Sequence, residues 1–145
     1  MDSPIIAPVV ALVAWSLVVM IWMVVTRMPA MKKAGINLKG LKGGRPGALD
    51  GVLQEQVQWK AHNYNHLMEQ PTLFYAITLS LALLGAGGGF NLYLAWAYVV
   101  LRVLHSLVQG TINLIAYRFA LFALSSLALI ALTLHAAMAL LHHHM

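Results

Sequence analysis

The sequence predicts an all-α integral membrane protein, built as a bundle of four transmembrane helices. Of the 145 residues, 61% are hydrophobic and only 9% are charged, whereas a soluble domain carries about 25% charged residues. The mean hydropathy is +0.77. A helix needs roughly 20 residues to cross the hydrocarbon of a bilayer. We therefore expect a single domain over residues 1–145, with four spans at about residues 5–27, 52–84, 91–113 and 117–141.

The charge and cysteine content exclude several classes of function. The net charge is +5, but six of the nine Lys and Arg residues lie between Arg27 and Arg45, so the basic character is local. We therefore expect no nucleic-acid partner. Cysteine is absent, which excludes disulfides, thiolate nucleophiles and cysteine-based metal sites.

The first span and the loop after it set the predicted orientation. Ile5 to Thr26 carries no charge, and as a helix it is about 33 Å long, enough to cross the hydrocarbon. Arg27 to Asp50 is rich in both Gly and Lys/Arg, which predicts a loop. The positive-inside rule places this loop in the cytoplasm. With four spans, both termini then lie outside the cytoplasm.

The second span is the least regular in sequence. The apolar run from Thr72 to Leu84 is too short to cross alone, so the helix has to begin in the polar segment before it, near residues 49–52. Pro71 removes one backbone hydrogen bond and predicts a kink. Gly85 to Gly89 predicts a tight external turn.

The third and fourth spans are predicted to follow that turn. Tyr93 and Trp96 would lie near the outer interface, where amphipathic rings are enriched. Residues 111–117 are predicted to form a second short cytoplasmic connection, and a long apolar run then follows Arg118.

Two polar stripes lie on these apolar helices, each with helical spacing. The first comprises His62, Asn65, His66 and Glu69, and the second comprises Tyr98, Arg102, His105, Gln109 and Asn113. A charged side chain at the bilayer centre costs about 2.5–3.5 kcal/mol on insertion scales, so the stripes should face protein. We expect Glu69 and Arg102 to pair, either only to lock two helices together or as part of a binding site.

Further polar side chains would surround that pair toward the cytoplasm: Lys60, His62, Asn65, His105, Gln109 and Arg118. A ring of such donors in an apolar wall suits a ligand with an anionic head and an apolar body. The alternative is that Lys60, Arg118 and Arg27 extend to lipid phosphates at the interface. His62, His66 and Glu69 also have the spacing of metal ligands, but hydrogen bonding explains them better, and no metal site is predicted.

At these residues the sequence resembles the MAPEG family, the membrane-associated proteins in eicosanoid and glutathione metabolism. The resemblance is strongest over NHLMEQPTLFY at residues 65–75, and at Arg102, His105 and Arg118. It implies a homotrimer of a bacterial type, in the inner membrane, in contact with membrane lipid. It also implies a glutathione site, with Arg118 in the catalytic role and with ligand contacts from Lys60, Asn65, Glu69, Arg102, His105 and Arg118.

This chain departs from the glutathione-using members at several positions. Lys60 stands where those members have Arg, the Asn-to-Glu spacing is one residue longer, and Phe119 and Phe122 replace a Ser and a Tyr. The function implied is a glutathione-dependent transferase or peroxidase, with glutathione as cosubstrate and a lipophilic electrophile as the hydrophobic small-molecule substrate. The alternative is a non-catalytic lipid-binding or partner-binding membrane protein of the same fold.

Overall fold

The computed structural model describes residues 3–35 and 53–143, and most of these residues are helical. The predicted all-α class is confirmed. Five helical segments follow one another along the chain: α1 (Ile6–Lys33), α2 (Glu55–Leu67), α3 (Pro71–Leu83), α4 (Phe90–Gly110) and α5 (Ile115–His143).

Helix α1 is longer than the sequence predicted. It continues past Arg27 and through Pro29 to Lys33, so the loop predicted from Arg27 was wrong for these first residues. Lys32 and Lys33 occupy the last turn, where positive charge complements the partial negative charge of a helix C-terminus. The helix ends just before Gly35, which has φ +76°. Gly35 thus adopts the left-handed conformation that often terminates helices. The rest of the predicted loop, residues 36–52, lies outside the described residues.

The polar and apolar halves of the second predicted span form two separate helices. Helix α2 ends at Leu67, and α3 begins at Pro71, its first helical position. Proline is favoured there because its missing N–H would have no partner in the first turn. One continuous kinked helix was therefore the wrong prediction. Because residues 68–70 form a turn, the side-chain directions of α2 do not continue through Glu69.

Three of the described helices are long and apolar enough to cross a membrane: α1, α4 and α5. Helices α2 and α3 have 13 residues each, fewer than the roughly 20 that a crossing requires. Large apolar side chains such as Val25, Leu127 and Ile130 are more than half exposed on the long helices. In a bilayer these side chains would contact acyl chains, so their exposure agrees with a membrane protein.

The core lies where the helices meet. Helix α4 packs most extensively on α5, α2 packs on α1 and α4, and α3 packs on α5 and α1. Phe74 of α3 stacks on Tyr98 of α4 with ring centroids 4.4 Å apart, and both side chains are fully buried. This aromatic pair fixes α3 against α4 directly beside the polar stripe of α4.

The two connections around α4 are short. Gly85 and Gly89 both have positive φ, which confirms the predicted tight turn between α3 and α4. Between α4 and α5 only residues 111–114 are non-helical, fewer than predicted. Asn113 there has φ +49°, and its Oδ1 accepts a 2.8 Å hydrogen bond from Nη1 of Arg118. That bond holds the side chain of Arg118, in the first turn of α5, against the connection before the helix.

Candidate functional site

The predicted polar stripe of α4 is buried as expected. Tyr98 and Arg102 are fully buried, and His105 and Gln109 are 3% and 4% exposed. Asn113 lies beyond the end of the helix. A continuous helix keeps a constant angular spacing between residues, so four polar residues spread over three turns face the same way.

Arg102 makes its contacts with neutral side chains. Its Nη2 lies 2.6 Å from Nδ1 of His66, and its Nη1 lies 3.5 Å from Oε1 of Gln70. Its Nε is buried without a hydrogen-bond partner among the described residues. Glu69 is exposed in the turn between α2 and α3. Among the described residues no hydrogen bond or ion pair joins Glu69 to Arg102, so the predicted direct pair is wrong within one chain, and the Glu69 carboxylate acts on the Arg102 charge only at longer range.

Gln70 takes the central position that was predicted for Glu69. Its Oε1 accepts a 3.0 Å hydrogen bond from the Tyr98 hydroxyl, and its Nε2 donates a 2.9 Å bond to Oγ of Ser126. One side chain thus joins the start of α3 to α4 and α5. The sequence analysis missed Gln70 because it continued the helical spacing of α2 across the turn at residues 68–70. That spacing assigned the inward direction to Glu69 instead of Gln70.

Helix α2 presents a different face to α4 than the one predicted. Nδ2 of Asn63 donates to the backbone carbonyl of Ser106 at 2.9 Å, and Oγ of Ser106 donates to Oδ1 of Asn63 at 2.7 Å. Asn63 is 1% exposed, whereas Asn65 is only half-buried. Of the predicted stripe on α2, His66 contacts α4, and the adjoining contact comes from Asn63, one turn before it.

A cavity of about 400 Å³ opens beside this polar network, between α2, α4 and α5. One part of its wall is polar and carries His66, His105 and Arg118. The two imidazoles stack with centroids 4.7 Å apart. The other part of the wall is apolar and consists of Ile115, Phe119 and Phe122.

The sequence model of the MAPEG family matches residues 5–138. The chain belongs to the MAPEG family. It is therefore an integral membrane protein of the kind associated with eicosanoid and glutathione metabolism. No curated protein and no solved structure matches the chain. The cavity and its polar wall lie within the matched region of this MAPEG chain.

The structure brings only part of the predicted glutathione site together in one MAPEG subunit. His105 and Arg118 line the cavity, and Arg102 lies one hydrogen bond behind it, through His66. The remaining predicted residues do not line it: Lys60, His62, Asn65, Glu69 and Gln109.

Lys60 has a different environment from the one predicted. Its Nζ lies 5.2 Å from the ring centroid of Trp22 on α1, a cation–π distance. This contact directs the ammonium toward α1 and away from the cavity. Over residues 3–35 and 53–143, no three His, Asp or Glu side chains form a group that could hold a metal ion.

Proposed function

We propose that this MAPEG protein is a membrane-embedded glutathione-dependent transferase or peroxidase that acts on lipophilic electrophiles. The observation that carries the proposal is the two-sided cavity of about 400 Å³. Its guanidinium and imidazoles suit the carboxylates and thiol of the tripeptide. Its phenyl and isoleucine side chains suit an apolar second substrate. The volume falls in the range of about 300–1,000 Å³ that is usual for small-molecule sites.

The charges beside the cavity favour an anion. The guanidinium of Arg102 is fully buried, and its hydrogen-bond contacts are to the neutral side chains of His66 and Gln70. Arg118 donates to the neutral amide of Asn113. Glu69 acts on Arg102 only at longer range, and a buried charge without a directly bonded opposite partner is costly, so an anionic ligand entering the cavity would offset part of that cost. This supports glutathione, which carries two carboxylates.

The proposed chemistry needs only the sulfur of glutathione as nucleophile. In the transferase reaction the thiolate attacks an electrophilic carbon, forms the C–S bond and expels the leaving group with its bonding electrons. In the peroxidase reaction the thiolate attacks a hydroperoxide oxygen and breaks the O–O bond, giving an alcohol and a sulfenic acid. A second glutathione then yields the disulfide and water. Arg118 would stabilise the thiolate by its charge.

We further propose that the active assembly is a homotrimer. In it, Lys60, His62, Asn65 and Glu69 would contribute to glutathione binding at the boundaries between subunits, whereas Gln109, which is buried within its own subunit, would support the polar wall from behind. Exposure of Glu69 in the single chain is compatible with such a contact. In the proposed orientation α2 and α3 together make the fourth crossing. The basic end of α1 then lies in the cytoplasm of a bacterial cell and both termini lie across the inner membrane, with glutathione entering from the cytoplasm.

The test is calorimetric titration of glutathione into the protein reconstituted in lipid nanodiscs. The Arg118→Ala variant should bind about 10- to 100-fold more weakly, the loss expected when a charged hydrogen-bond donor is removed. Lys32→Ala is the matched control: it removes an exposed positive charge from the last turn of α1 and should leave the affinity unchanged. Absence of saturable binding to the unmodified protein would refute the proposal.

A second candidate function is non-catalytic binding of a lipid or partner protein in the same cavity. The observation in its favour is the phenyl rings of Phe119 and Phe122 in the wall, because neither ring can donate a hydrogen bond to a thiolate. Lipid that co-purifies with the protein, together with no conjugation of a model electrophile, would support this function. Conjugation that disappears in Arg118→Ala would contradict it.

A further inference from the structure

His66 forms a hydrogen bond with the buried guanidinium and also lines the cavity. Its Nδ1 lies 2.6 Å from Nη2 of Arg102, and its ring forms part of the cavity wall. The ring stacks on His105 on one side, and its centroid lies 6.0 Å from that of Phe122, nearly edge-on. These contacts from α4 and α5 fix the orientation of the imidazole.

The contact with Arg102 determines where the imidazole carries its proton. A guanidinium has only donors, so Nδ1 of His66 has to accept. A histidine whose Nδ1 accepts is neutral and carries its single proton on Nε2. His66 is therefore held as a neutral hydrogen-bond donor, and it can act neither as a cation nor as a base at Nε2.

The proton on Nε2 has no acceptor in the part of the chain that the structure describes. The hydrogen bond of His66 is made by Nδ1. Nε2 makes none with the described residues, and it is not fully buried. Nε2 therefore remains accessible, on a ring that lines the cavity. A neutral imidazole held by its other nitrogen is a known means of stabilising negative charge in an active site.

We propose that the Nε2–H of His66 is the hydrogen-bond donor to the thiolate of bound glutathione, in place of hydroxyl groups that Phe119 and Phe122 cannot supply. This inference rests on the proposed glutathione function and adds the residue that stabilises the sulfur. The S–H proton leaves to solvent water, because the Nδ1 lone pair of His66 accepts from Arg102 and Nε2 is already protonated. The positive charges of Arg102 and Arg118 and the ring of His105 complete the surroundings of the sulfur.

Two substitutions separate the roles of the two ring nitrogens. The amide of His66→Asn reaches the position of Nδ1 and can still accept from Arg102, but it has no donor at the position of Nε2. The longer His66→Gln places an amide NH₂ near the position of Nε2. A histidine outside the cavity provides the control. His135 contacts Asn91 beside the α3–α4 turn, and it is replaced in His135→Asn.

The experiment compares glutathione with S-methylglutathione, which has the same carboxylates but cannot form a thiolate. Binding of both is measured in nanodiscs, and the thiolate of bound glutathione is followed against pH by its ultraviolet absorbance. Thermal unfolding confirms that each variant is folded. His66→Asn should raise the pH midpoint for thiolate formation by about one unit, a tenfold loss of thiolate stabilisation, and leave S-methylglutathione binding within about twofold.

His66→Gln should restore a midpoint close to that of the unmodified protein, and His135→Asn should not change it. An unchanged midpoint in His66→Asn, with both ligands still bound, would overturn the role of His66 but not the glutathione site. Failure of the unmodified protein to bind either ligand would overturn both. Equal weakening of both ligands in a folded His66→Asn protein would show that His66 only supports the fold around Arg102, and would also overturn its proposed role.

Discussion

Oε1 of Gln70 lies 3.5 Å from Nη1 of Arg102, so a neutral amide occupies the place beside the buried guanidinium where a carboxylate was expected. The amide orients the guanidinium without cancelling its charge. The local positive charge on which the proposed anion site depends is thereby retained.

Replacing Gln70 with Glu tests this relationship. The carboxylate of Gln70→Glu should pair with Arg102, keep the fold at least as stable, and weaken glutathione binding by about tenfold, or about 1.4 kcal/mol. Gln70→Leu is the comparison, because it removes the amide and leaves the charge; it should lower stability by about 1–3 kcal/mol through the unpaired donors and retain more of the affinity. Calorimetry and unfolding in micelles give both quantities. Equal affinities in the two variants would contradict the role of the charge.

The reciprocal hydrogen bonds of Asn63 and Ser106 should couple α2 to α4. In a double-mutant cycle of Asn63→Ala and Ser106→Ala, we expect a coupling energy of about 0.6 kcal/mol and at most about 1.7 kcal/mol, the mean and the maximum found for hydrogen bonds between membrane helices. Reversible unfolding in mixed micelles gives the free energies. Ser125→Ala is the control partner, because that hydroxyl bonds within its own helix, to Phe122; its combination with Asn63→Ala should be additive. Additivity of the Asn63 and Ser106 substitutions would exclude the coupling.

Close packing at Gly110 provides a test of the helix arrangement that does not depend on function. A Cβ there would lie 2.8 Å from Cζ3 of Trp22 and 3.1 Å from Nδ2 of Asn63. Gly110→Ala should therefore destabilise the protein by about 1–3 kcal/mol through overpacking. Gly88→Ala is the matched control, since nothing lies within 4 Å of its Cβ position. Equal unfolding temperatures for the two variants would be inconsistent with this packing of α1, α2 and α4.

The regular helices were predictable because their apolar content and spacing are continuous. The buried residues Tyr98, Arg102, His105 and Gln109 followed directly from the helical period on α4. Helical spacing cannot show which residue receives a hydrogen bond at its backbone carbonyl. Ser106 is buried by its bonds to Asn63, and no feature of the polar pattern distinguishes it from an ordinary serine on an apolar helix.

The site on α2 was less predictable for two physical reasons. The helix is polar overall, so several of its faces could have been the buried one. In the structure the buried side chains are Gln58, Ala61, Asn63 and Leu67. The helical phase was also extended across the turn at residues 68–70, which assigned to Glu69 the position that Gln70 occupies. Of the predicted α2 residues, His66 contacts α4, through Arg102 and His105.

The most direct test of the proposed function is a density map of the protein prepared in lipid with an excess of glutathione. Elongated density should fill the cavity, with the sulfur within hydrogen-bond distance of Nε2 of His66 and beside the guanidinium of Arg118. An acyl chain in the cavity, or glutathione density that contacts neither residue, would contradict the proposal.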